Sequence, residues 1–169
     1  MTKHTKKLPL KIIAYAAFLL FAYILQAAVF SNLTIRGAKP VILPLVVVCA
    51  AMFEGCSGGG LLGLAAGMLC DISYNQPTIQ FTLVLTLIGI LIGFLTDTVF
   101  AKGFPTYLLW GILSVVASII TQTFGLVVFH DVDFRYIVYP AVFQCLYSMI
   151  FLLPVYIAVR RISRISVSY

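Results

Sequence analysis

Three stretches of this chain, 12–30, 106–129 and 136–159, contain no charged side chain, and a fourth, 78–100, contains only Asp97. Each is about as long as the roughly 20 apolar residues that carry a helix across a hydrocarbon core about 30 Å thick. In such a medium every backbone N–H and C=O must be bonded within the protein, which favours helices. Composition agrees: 62% of the 169 residues are hydrophobic and 9% are charged, against about 25% charged in a soluble domain. The sequence therefore predicts an all-α integral membrane protein, a single transmembrane domain over 1–169.

The net charge of +6 does not indicate nucleic acid, because the basic residues flank the apolar runs. Lys3, Lys6, Lys7 and Lys11 precede the first, and Arg160, Arg161 and Arg164 follow the last. Such clusters set membrane orientation and touch lipid head groups, so membrane lipids are expected partners. The apolar run 12–30 exceeds a signal-peptide core and no small-residue cleavage site closes it, so it is read as an uncleaved first span. Cys49, Cys56, Cys70 and Cys145 lack ligand spacing; three lie within apolar runs and read as small hydrophobes, and Cys56 falls at an expected turn. No metal or cofactor is expected.

The region 40–70 is apolar but interrupted by Glu54 and glycines. One span here would put the basic termini on opposite sides of the membrane, which the positive-inside tendency disfavours. Two short spans, 40–54 and 57–70, make a compact bundle of six with both termini cytoplasmic: 12–30, 40–54, 57–70, 78–100, 106–129 and 136–159. A re-entrant hairpin at 40–70 keeps the same parity with four spans. Tyr107, Trp110, Tyr136, Tyr139 and Tyr156 lie near span ends, as interfacial aromatic anchors do.

Within "EGCSGGGLLGLAAGMLCD" (54–71), Gly55, Gly59, Gly63 and Gly67 recur at every fourth position and the run closes on Asp71. Lipid tails are as apolar as Leu, so membrane helices associate through close backbone approach at small residues. The glycines form a ridge without side chains on the third span. Gly89 and Gly93 repeat the device in the fourth, and Gly111, Ser114, Ser118, Thr121 and Gly125 form a small-residue seam in the fifth.

Catalysis finds little support. Asp71 and Asp97 both end Gly-x-x-x-Asp runs, but an aspartyl dyad must share a proton. A helix over 79–97 rises about 27 Å and holds the two acids on opposite faces. A small solute-binding subunit, like the S-components of energy-coupling-factor transporters, is the alternative. Its expected Ala-xxx-Ala in the first span is missing, and Gln26 is that span's single intramembrane polar residue.

The run "KPVILPLVVVCAAMFEGCSGGGLLGLAAGMLCDISYNQPTIQFTLVLTLIGILIG" (39–93) resembles the rod-shape-determining protein MreD family. The matching positions are Pro40 or Pro44, Gly55, Gly63 with Gly67, Asp71, and Gly89 with Gly93. One departure is "ISYNQPTIQ", which has Pro77 but lacks the glycine that often leads into the next span. The resemblance implies a non-enzymatic scaffold of the bacterial cell-elongation machinery in the cell membrane. Its implied partner is the single-span protein MreC, and through it MreB filaments and the peptidoglycan polymerase and transpeptidase pair. On that reading Gly59, Gly63 and Gly67 accept a partner helix and Asp71 sets its register. Asp131, Asp133 and Arg135, in the outer loop "FHDVDFRY" (129–136), meet the partner's extracytoplasmic part.

Overall fold

A computed structural model of the chain describes residues 7–29, 40–74, 79–98, 103–130 and 134–164. Among the described residues all regular elements are helical: α1 (Lys7–Ile24) with a π turn (Leu25–Val29), α2 (Leu43–Tyr74), α3 (Gln80–Thr98), α4 (Phe104–His130), α5 (Phe134–Ile150) and α6 (Leu152–Arg164). Four helices are long and apolar enough to cross a membrane, α1 to α4, and a fifth crossing results if the bent pair α5–α6 is one span. The chain is thus compatible with a multi-pass membrane protein.

The apolar region that the sequence divides at 54/57 is one helical element interrupted at Gly55, whose φ of 75° and ψ of −167° lie in a region open essentially to Gly alone. In an unbroken helix, residues eight apart are separated by about 12 Å. Here Ala51 Cα lies 3.0 Å from where a Cβ on Gly59 would sit. The arms 43–54 and 56–74 therefore fold back on each other as a hairpin about Gly55. The second arm runs to Tyr74, beyond the expected end at 70, and rises about 28 Å. Only the first arm, about 18 Å, is short.

That first arm is the centre of the bundle. Every residue from 40 to 52 is buried, as expected of a helix that is apolar all round. It packs against the second arm, α4 and α6, with α3 and α1 alongside. The expected span 136–159 is broken at Phe151, where α5 and α6 meet at 46°. Pro154 explains the break: it has no N–H to donate to Ile150 O. Phe151 N instead donates to Ser148 O at 3.1 Å, three residues back.

Two of the expected interfacial aromatics face inward. Tyr107 is fully buried, its ring centroid 5.4 Å from that of Tyr156, and its hydroxyl donates to Leu45 O at 3.4 Å. Tyr156 is also buried and meets Phe104 edge-on at 5.4 Å. Position near a span end does not fix rotation about the helix axis, and here α4 and α6 turn these rings onto the central arm.

Candidate functional site

The ridge predicted on the third span is formed, and α3 fills it. A Cβ on Gly59 would collide with Gly89 O. One on Gly63 would lie 2.5 Å from Leu85 O and 2.9 Å from Thr86 Cα, and one on Gly67 would collide with Thr82 Cα. From the other side, a Cβ on Gly93 would lie 2.5 Å from Cys56 N. Each four-residue step up α2 matches a four-residue step down α3, so the two GxxxG motifs interlock antiparallel over about 18 Å. The surface that the sequence offers to a partner helix is thus covered by a helix of the same chain.

Asp71 closes the far end of this pair. Its Oδ1 accepts from Phe81 N at 3.0 Å, and its Oδ2 accepts from Thr82 N at 3.0 Å and Thr82 Oγ1 at 2.6 Å. The first N–H groups of a helix have no intrahelical acceptor and carry the positive end of its dipole. Asp71 supplies both the acceptor and the negative charge from the neighbouring helix. Asp97 lies in the last turn of α3, its Oδ2 2.5 Å from where a Cβ on Gly55 would sit. The length of α3 therefore separates the two aspartates. The segment 131–133, with Asp131 and Asp133, lies outside the described residues, as does the side chain of Arg135 in α5.

Two polar clusters had no signal in the sequence. At the hairpin turn, Lys11 Nζ pairs with Glu54 Oε2 at 2.7 Å, and Tyr15 hydroxyl donates to Glu54 Oε1 at 2.8 Å. Lys11 and Tyr15 stand one turn apart on α1, so one face of that helix meets Glu54, the one acid in the sequence between 40 and 70. At the other end of the first arm, Gln26 Oε1 accepts from Ile42 N at 2.8 Å and Leu43 N at 3.2 Å. Val41 N donates to Ser148 Oγ at 3.0 Å. Gln26 sits in the π turn after α1 and Ser148 in the last turn of α5. These caps are buried, and they satisfy N–H groups that have no water to bond in a hydrocarbon setting.

Between α1 and the second arm of α2 runs an open apolar groove of about 640 Å³. Its walls are mostly Leu, Ile and Met, and its polar lining is Lys11, Tyr15 and Glu54. Among the described residues no group of His, Cys, Asp and Glu is arranged to hold a metal ion. Cys49 and Cys70 are buried in the core, and Cys56 is exposed beside the hairpin break. Compared with protein-family models, curated proteins and solved structures, the chain matches none.

Proposed function

We propose that this chain is a non-enzymatic scaffold subunit of the bacterial cell-elongation machinery, resident in the cell membrane and binding MreC. The observation that carries the proposal is the α2–α3 unit. Gly55, Gly63, Gly67, Asp71, Gly89 and Gly93, through which the sequence resembles the MreD family, act together in it: a Gly-only turn, an interlocked ridge and a helix cap. A chain that devotes these residues to rigid helix packing suits a scaffold better than a carrier that must open and close.

In this proposal each arm of α2 crosses the membrane and α5–α6 cross together, which makes six spans with both termini in the cytoplasm. Lys11, Glu54 and Asp97 share one end of the bundle. Arg160 lies at the same end, packed 5.8 Å from the Tyr156 ring, which in turn lies 6.0 Å from Phe53. This basic end is the cytoplasmic one. The α2–α3 ridge and Asp71 support partner binding by holding the shape of the outer surface. The loop with Asp131, Asp133 and Arg135 supplies polar contacts to MreC, which links the subunit to MreB and to peptidoglycan synthesis.

The test is gentle-detergent purification of a tagged copy from its native membranes, followed by mass spectrometry of what accompanies it. MreC and cell-wall synthases are expected. An energy-coupling ATPase module, or a bound vitamin-sized molecule, would overturn the scaffold reading in favour of a transporter subunit.

A further inference from the structure

The groove between α1 and the second arm of α2 has a length and a polarity. Along α1 it extends from Lys11 to Leu20, and along α2 from Gly58 to Leu69. At 1.5 Å per residue either wall is about 15 Å long, half the roughly 30 Å of a hydrocarbon core. Its polar lining is confined to one end, where Lys11, Tyr15 and Glu54 meet. Beyond them the walls are apolar, and Leu20, Leu61 and Met68 leave the lining open to the membrane at 50%, 73% and 49% exposure.

We infer that the groove seats one acyl chain of an anionic phospholipid from the leaflet at the basic end, with the phosphate beside Lys11. Length argues for a lipid, because the groove matches one leaflet and stops. Wall chemistry argues against a helix. Membrane helices dock through small residues repeated at four-residue steps, which let backbones touch. The small lining residues Ala16, Gly58 and Ala65 form no such repeat, and Leu, Ile and Met side chains between them leave a channel that a flexible chain can follow. Charge argues for an anionic head group. Lys11, Arg160, Arg161 and Arg164 stand at this end among the described residues, and Lys3, Lys6 and Lys7 precede them in sequence, against Glu54 and Asp97. An ammonium has three donors, so the bond to Glu54 leaves Lys11 capacity for a phosphate oxygen. This inference goes beyond the scaffold proposal and does not depend on it.

The test places a single tryptophan in the full chain, in a Trp110→Phe background. Leu61→Trp reports from the groove rim, and Leu87→Trp from an exposed position on α3 at the same level, since Gly59 faces Gly89 and Gly63 faces Leu85. Each variant is reconstituted in phosphatidylcholine vesicles with acyl-brominated phosphatidylglycerol or acyl-brominated phosphatidylcholine as quencher. At Leu61→Trp the anionic lipid is expected to associate about fivefold more tightly than the zwitterionic one, the selectivity that one basic side chain gives at about 1 kcal/mol. At Leu87→Trp the two should quench alike, and adding Ala16→Phe, which fills the groove, should remove the preference at Leu61→Trp. Equal quenching by both lipids at Leu61→Trp would overturn the inference. So would the absence of quenching there, which would show a protein helix over the groove. Native mass spectrometry of the chain with Trp110 intact gives a second reading: retained phosphatidylglycerol should be lost in Ala65→Phe, and retention undiminished in that variant would also overturn it.

Discussion

Asp71 Oδ2 takes two hydrogen bonds from Thr82, one from its amide at 3.0 Å and one from its hydroxyl at 2.6 Å. The contact joins the C-terminal part of α2 to the first turn of α3 across the segment between them. It makes Asp71 a helix cap supplied by a neighbouring helix. Asp71→Ala should therefore destabilise the protein by about 1–3 kcal/mol, the cost of a lost acceptor for buried donors. Asp71→Asn, which keeps one acceptor oxygen, should lose less. Thermal unfolding in detergent, followed by circular dichroism, gives the order.

Glycines on the ridge should differ sharply from glycines elsewhere. Gly63→Ala and Gly67→Ala place a methyl group against α3 backbone, which cannot step aside without parting the helices. Gly111→Ala meets the Cδ2 of Leu152 at 2.9 Å, the end of a side chain that can rotate. The ridge variants should cost about 1–3 kcal/mol through overpacking, and Gly111→Ala clearly less. Equal melting temperatures for the two classes would refute the interlocked ridge.

Lys11 and Glu54 are each largely buried, at 16% and 19% side-chain exposure. Lys11→Met leaves the carboxylate with the Tyr15 hydroxyl alone and should destabilise by about 3 kcal/mol or more, because an uncompensated charge is held out of water. The double variant Lys11→Met with Glu54→Met should recover most of that loss. Full additivity of the two single effects would show that the pair is not energetically coupled.

Gln26→Leu removes the acceptor of two amides, those of Ile42 and Leu43, whereas Ser148→Ala removes the acceptor of Val41 alone. An unsatisfied buried donor costs about 1–3 kcal/mol, so Gln26→Leu should be the more damaging. Hydrogen exchange at the amides of 41–43 gives a local check. Both variants should speed exchange there and leave α3 unchanged.

The apolar runs 12–30, 78–100 and 106–129 lie within a few residues of α1 with its π turn, α3 and α4, because hydropathy acts on each helix separately. The break beside Glu54 was also legible, since a charge and several glycines meet there. What was not legible is which surfaces touch. A GxxxG ridge reads the same whether its neighbour is another chain or the next helix, and here it is the next helix. Gln26 and Ser148 are isolated polar residues in apolar runs, and their partners lie 16 and 107 positions away. No local pattern announces such pairs. The inward turn of Tyr107 was hidden for a related reason, since packing against Leu45 and Tyr156 decides how α4 is rotated.

The Val41–Ser148 bond also orders the steps of biogenesis. The central arm leaves the ribosome before α5 does, since one acceptor for its N-terminal amides is encoded 107 residues later. At about 5–20 residues per second, some 5–20 s of translation separate the two. Throughout that interval the nascent hairpin must be sheltered by the insertion machinery or by α1 and its Gln26. The α5–α6 pair then acts as the lock on a core translated well before it.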